Sequence, residues 1–197
     1  MKFQHNRDIE INKNSYRYMF LYKKQLLYNI TKLLDKLNIQ FVISHGNLIE
    51  YERQKPIYHD DDLDIRMNVN DLEKWSKFCN ENDMILPEYN LKFDGRFKKI
   101  NLQLINGIQC RLIHFYNKYK IPVYKMNIHC DLVANIVSSK FWMNYNIDYN
   151  NLRKIVYLGV NTYAPNKNDT IKVLQDQYGK DYLIPDNINH LLKFKFL

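Results

Sequence analysis

Phe41-Val-Ile-Ser-His-Gly46-Asn-Leu-Ile-Glu50-Tyr-Glu-Arg53-Gln-Lys-Pro-Ile-Tyr-His-Asp60-Asp61-Asp62-Leu63-Asp64-Ile65-Arg66-Met67 is the stretch around which this chain is organised. It reads as an apolar strand, a glycine turn, a short helix, and a second strand carrying Asp60, Asp61, Asp62 and Asp64. Strand side chains alternate between faces, so Asp60, Asp62, Asp64 and Arg66 fall on one face and Asp61, Leu63, Ile65 and Met67 on the other. Carboxylates crowded on one face repel each other. A strand that must also bury Leu63, Ile65 and Met67 is expected to relieve this with a divalent cation that favours hard oxygen ligands, Mg2+ or Mn2+. The candidate metal ligands are therefore Asp60, Asp62 and Asp64.

The approach to that strand carries a second signal. A glycine just after a strand lets the backbone come close to a phosphate, and a helix N-terminus beyond it offers N–H donors. Gly46 follows the strand Phe41 to Ser44, and Asn47 begins the next segment with a side chain able to reach a phosphate. Alone, the glycine is a weak signal. Followed at 14 to 18 residues by the D-x-D-x-D strand, it points to nucleotide chemistry. In that chemistry one carboxylate pair binds the metal that bridges the donor's phosphates, and a third on a neighbouring strand activates the attacking hydroxyl.

Outward from this stretch the pattern alternates helices and strands. Tyr18, Leu21, Tyr22, Leu26, Ile30, Leu33, Leu34 and Leu37 recur at helical spacing, predicting a helix over 16–37 with Ser15 as N-cap and Asn38 closing it. After Met67, Asn70 with Glu73 three residues on has the pattern of a capping box for a helix through Leu72, Trp75, Phe78 and Cys79. Met84 to Leu86 reads as a short strand stopped by Pro87. Residues 91–115 read as β-structure, with an Asp94-Gly95 turn and a hairpin around Asn106-Gly107. A further strand, Val123 to Leu132, delivers Asp131 near its end. Residues 138–151 give no clear pattern. A last hairpin is expected around Gly159, then a helix over 169–177 and a helical C-terminus. The order of elements indicates an α+β domain.

The run Gly46 to Arg53, followed by Asp60-Asp-Asp-Leu-Asp-Ile65, resembles the signature of LicD-type and fukutin-related phosphotransferases, a branch of the nucleotidyltransferase superfamily. That signature is a strand entering G-T-L-L-G-x-x-R, then P-W-D-D-D-x-D. Ile128-His-Cys-Asp131-Leu is similar to the family's downstream hydrophobic-Asp segment. Tyr178-Gly-Lys-Asp-Tyr-Leu-Ile-Pro185 is similar to its C-terminal Y-G-x-D-Y-x-x-P. The resemblance implies a nucleotidyltransferase-like mixed β-sheet flanked by helices, forming a single domain over 1–197. Residues 1–40 would be a lead-in and helix, and 41–185 the family-like core. It implies Asp62, Asp64 and Asp131 as catalytic carboxylates, with Gly46, Asn47, Arg53 and Arg66 around the donor's phosphates. For the third carboxylate, Asp131 competes with a plain hydrogen-bonded strand end, and Asp94 is its rival. The implied reaction moves a phosphoalcohol, of the phosphocholine or ribitol-phosphate type, from a CDP-activated donor to the hydroxyl of a glycan or phosphorylated sugar (EC 2.7). Three positions depart from the family pattern: Asn47 for Thr, Glu50 for Gly, and Tyr58-His59 for Pro-Trp.

Bulk properties bound the alternatives. Lysine and arginine number 29 against 21 acids, a net charge of +8 that suits anionic partners. The basic residues are dispersed, so nucleic acid is possible but not favoured as a partner. A different nucleotidyltransferase, moving NMP from an NTP onto a protein, RNA or small molecule, is the alternative enzyme. A domain that only binds an anionic partner is the non-enzymatic one, against which the aspartates weigh. Cys79, Cys110 and Cys130 lack metal-site spacing and read as reduced thiols. No apolar run is long enough to span a bilayer and the first residues lack a signal-peptide core, so a cytoplasmic location is expected.

Overall fold

The structure, a computed structural model, describes residues 13–55, 62–82, 85–93, 108–114, 130–134 and 147–184. Over these the chain is a mixed α+β fold. Helix α1 (Lys13–Lys36) leads into β1 (Phe41–Ile43), α2 (His45–Arg53) and β2 (Leu63–Met67). Helix α3 (Leu72–Glu81), β3 (Ile85–Leu86), β4 (Leu91–Phe93), β5 (Ile108–His114) and β6 (Cys130–Ala134) follow. The chain then forms β7 (Arg153–Tyr157), β8 (Val160–Ala164) and α4 (Lys167–Tyr178).

The apolar stripe read from the sequence is the buried face of α1: Tyr22, Leu26, Ile30, Leu33 and Leu34 all lie in the core. Ser15 falls within the helix rather than at its cap, because α1 begins at Lys13. Its other end closes as expected. Asn38 adopts a left-handed conformation (φ 52°), and the Ile39 and Asn38 amides donate to the Leu34 and Asp35 carbonyls at 3.0 Å each. This is a Schellman motif, which asparagine tolerates at its left-handed position.

Six strands form one sheet in the order β1-β2-β6-β5-β4-β3. Strand β2 is antiparallel to β1 and parallel to β6, and every other pairing in this sheet is antiparallel. The parallel pair puts β2 inside the sheet. Leu63, Ile65 and Met67 are buried in the core, as the alternation required. The Asn106-Gly107 turn lies outside the described residues, as do Asp94-Gly95 and the C-terminus beyond 184.

Helix α3 buries Leu72, Trp75 and Cys79, and the Trp75 ring packs 5.6 Å from that of Phe78. The expected cap at Asn70 is displaced. A short 3-10 turn over Val69–Asp71 precedes the helix, and its cap is Asn68, whose side chain accepts from the Asn70 amide at 3.0 Å. Asp71 instead accepts from the Gln40 amide at 2.8 Å and pairs with Lys74 at 2.6 Å, tying the start of β1 to α3.

The hairpin expected around Gly159 is β7–β8. Leu158 and Gly159 both have positive φ, 51° and 73°, as a type I′ turn demands. Glycine suits the positive φ of the turn, and a Cβ there would stand 2.9 Å from the Lys24 ammonium nitrogen, the end of a flexible side chain that can move aside. Helix α4 starts two residues before the expected Asp169, capped by Asn166, which accepts from the Asp169 amide at 2.9 Å. No helix among the described residues is long and apolar enough to cross a membrane.

One ion-pair cluster joins α2 to the hairpin and α4. Glu52, 10% exposed, meets Arg153 at 2.6 Å and Lys167 at 2.9 Å. Burial works against its ionisation, but the hydrogen bonds from Arg153 and Lys167 outweigh burial and bring its pKa below the ordinary glutamate value. A carboxyl whose folded pKa is depressed contributes stability above its unfolded pKa and loses it as pH falls through the folded one. Glu52→Gln is therefore expected to cost about 2 kcal/mol at pH 7, mostly through the Arg153 bond, since Lys167 is largely solvated. Urea titrations should show that difference shrinking towards zero in acid; a difference that persists at low pH would remove the cluster as its source.

Candidate functional site

Strand β1 leaves the sheet at Ser44, and the chain enters α2 at once. The expected glycine turn is absent: Gly46 lies in the first turn of α2, and His45 adopts the left-handed conformation (φ 45°). Such a conformation is uncommon for a residue other than glycine. The Ser44 amide still donates to the Asp64 carbonyl at 2.9 Å, so β1 ends opposite the aspartate.

The next partner of β2 is a side chain. Asn47 is 0% exposed; its Oδ1 accepts from the Asp64 amide at 2.5 Å, while its Nδ2 makes a longer contact of 3.4 Å with the Asp62 carbonyl. Accepting from residue 64 and donating to residue 62 is what a parallel strand would do, so Asn47 continues the ladder where β1 has stopped. Its other amide hydrogen goes to the Tyr157 hydroxyl at 3.1 Å. Asn47 thus braces the aspartate strand. A threonine hydroxyl, with one hydrogen, could not make all three contacts.

Asp62, at the bend before β2, and Asp64, within it, are half-buried. The β2–β6 register pairs Asp64 with Asp131. Laterally paired residues of a sheet occupy one row, so the two aspartates assigned from separate segments are immediate neighbours on adjacent strands. Asp60 and Asp61 lie outside the described residues. Of the expected ligands Asp60, Asp62 and Asp64, the two described ones, Asp62 and Asp64, offer carboxylate oxygens, the donor type that Mg2+ and Mn2+ prefer, and so fit such an ion. Among the described side chains, no group of three or more His, Cys, Asp or Glu is assembled for a metal.

Arg53 donates through Nε to the Tyr182 carbonyl at 2.6 Å and through Nη2 to the Ile184 carbonyl at 3.2 Å. Burial lowers its pKa, and Tyr178 opposes the shift. Arg53 therefore fastens α2 to the C-terminal Tyr178-to-Ile184 segment. The two ends of the sequence pattern are joined by this contact.

Arg66, 5% exposed, lines a cleft of about 790 Å³ with Gln40, Asn68, Tyr149 and Lys172. It lies about 7 Å further along the strand than Asp64. Burial pushes the Tyr149 phenol well above its ordinary value, with Arg66 opposing and Asp71 adding to the shift. The Tyr149 hydroxyl donates to the Arg66 carbonyl at the long distance of 3.5 Å. Sequence reading missed Tyr149, which falls in a stretch without a pattern, and Tyr157, whose only cue was an inward position on the last hairpin.

Compared with models of known protein families and with curated proteins, the chain matches none.

Proposed function

We propose that this chain is a metal-dependent transferase of nucleotidyltransferase-like fold and LicD/fukutin type. It moves a phosphoalcohol from a CDP-activated donor to a hydroxyl of a glycan or phosphorylated sugar. The observation that carries the reading is the pairing of Asp64 with Asp131 across β2 and β6. Residues from two distant segments, Asp64 and Asp131, thereby share one row of the sheet, with Asp62 at the bend before β2.

In this reading Asp62 and Asp64, with Asp60, hold Mg2+ or Mn2+. When bound, the ion supplies neutralising charge for the donor's phosphates. The acceptor oxygen attacks the phosphorus that carries the alcohol, the bond from that phosphorus to CMP breaks, and CMP departs. Asp131 takes the acceptor's proton. The buried Leu63, Ile65 and Met67 hold the strand so that its carboxylates need not reorganise during the reaction.

The test is to incubate the protein with Mg2+ or Mn2+, a panel of CDP-alcohols and glycan acceptors, and to measure CMP. CMP release that needs the metal and vanishes in the Asp62→Ala/Asp64→Ala double variant is the expected result. Equal release by wild type and variant would defeat the reading. Pyrophosphate release from plain NTPs would favour NMP transfer instead, which the +8 charge would suit.

A further inference from the structure

We infer that Asn47, Tyr157 and Glu50 form a positioning relay that fixes the spacing of Asp62 and Asp64 for the cation, an inference that rests on those aspartates being metal ligands. The relay runs through the middle of the fold. Tyr157, on β7 and 4% exposed, donates its hydroxyl hydrogen to Glu50 Oε2 at 2.8 Å and accepts from Asn47 Nδ2 at 3.1 Å. Asn47 in turn grips the backbone of β2 at the Asp64 amide and the Asp62 carbonyl.

The direction of every bond follows from chemistry. The Asp64 N–H can only donate, so the Asn47 atom facing it is the carbonyl oxygen, and the NH2 must face Tyr157. The phenol therefore accepts from Asn47, and its own hydrogen is available to the Glu50 carboxylate. An anionic acceptor polarises the O–H, which strengthens the phenol oxygen as an acceptor for Asn47. The amide contacts β2 on both sides of Leu63, across the two backbone units that set the separation of Asp62 from Asp64. Removing the phenol O–H leaves a buried Asn47 hydrogen without its partner and frees the amide to turn. The strand would remain in the sheet, held by Ser44 and by β6. Its two aspartates would lose their fixed spacing.

Glu50 stands where the family pattern has glycine, and Asn47 where it has threonine. Both side chains come from α2 and belong to a single hydrogen-bonded chain through Tyr157.

The experiment is Mn2+ binding to the full chain, followed by electron paramagnetic resonance and expressed per folded molecule from a parallel circular-dichroism measurement. Tyr157→Phe, which keeps the ring in the core, is expected to weaken Mn2+ binding about tenfold, within the range for groups that orient metal ligands. Glu50→Gln, which keeps an acceptor for the phenol, should stay within about threefold of wild type, because the Tyr157 hydrogen keeps its partner. Wild-type affinity in Tyr157→Phe overturns the relay and leaves the metal reading intact. Absence of Mn2+ binding in the wild type overturns both. Should Tyr157→Phe fail to fold, Glu50→Ala, at the half-buried end of the chain, must show the tenfold loss, and wild-type affinity there overturns the relay.

Discussion

Asp64→Asn is expected to lower turnover by at least ~10³-fold and to abolish tight Mn2+ binding, whereas Asp131→Asn should lower turnover by about 10²- to 10⁴-fold and leave Mn2+ affinity within a few fold. Both substitutions are nearly isosteric. In Asp64→Asn the backbone amide still donates to Asn47 and the carbonyl still accepts from Ser44, so the strand keeps its place. What changes is a hard anionic ligand. A metal-bound phosphoryl group gains several kcal/mol of charge stabilisation, and about 4 kcal/mol corresponds to ~10³ in rate. Asp131 is assigned a different task, accepting the acceptor's proton, so its loss should fall on turnover rather than on the cation. The measurements are CMP release rates and Mn2+ titrations on the same preparations. If Asp131→Asn loses the metal as completely as Asp64→Asn, Asp131 is a ligand, and the proton has another destination. If Asp64→Asn binds Mn2+ as wild type does, the metal reading of β2 fails.

Some of this site was legible before any coordinates, because it is written in local periodicity. Alternation alone put Leu63, Ile65 and Met67 on a buried face, and all three lie in the core. The segments holding Asp64 and Asp131 were legible, but their adjacency was not: it depends on β6 inserting parallel to β2, after β5 has paired on its other side. The structural partners of Asn47 and Arg53 were not legible for a related reason. Each is a polar donor near a glycine, which fits a phosphate, yet the partners that engage them are Tyr157, 110 residues on, and Tyr182, 129 residues on. No short-range spacing encodes such contacts. Gly46 shows a subtler limit. The expected glycine turn is absent: the left-handed residue is His45, and Gly46 lies in the helix's first turn. The expected cap of α3 at Asn70 is lost because a 3-10 turn intervenes: Asn68 caps that turn, and Asp71, at the N-cap of α3, makes no side-chain cap bond.

Phe41→Ala tests the joint that carries the whole arrangement, and it is expected to cost about 3–5 kcal/mol. Phe41 is 1% exposed and its ring meets that of Tyr163 edge-on, with centroids 5.3 Å apart. Its backbone pairs with Met67, so one residue links the β7–β8 hairpin to the strand bearing Asp64. Alanine removes the ring from a seam lined by α1, β1 and β8, where the surrounding elements are held by their own pairings and cannot collapse into the space. Against a total stability of about 5–15 kcal/mol this is a large fraction. At ~2–4 °C per kcal/mol for a chain of this size, the melting temperature should fall by roughly 6–20 °C. Phe41→Leu retains most of the volume and should cost less than ~1.5 kcal/mol. Urea titrations with an unchanged m-value would assign the loss to the folded state's packing rather than to the unfolded chain. A loss below ~1.5 kcal/mol for the alanine variant would mean that the hairpin is held to the sheet by the Glu52 and Arg153 cluster instead. Mn2+ affinity per folded molecule should stay near wild type, because the spacing of Asp62 and Asp64 is set from the Asn47 side of β2 and the contribution of Phe41 is to keep the sheet and hairpin folded against each other.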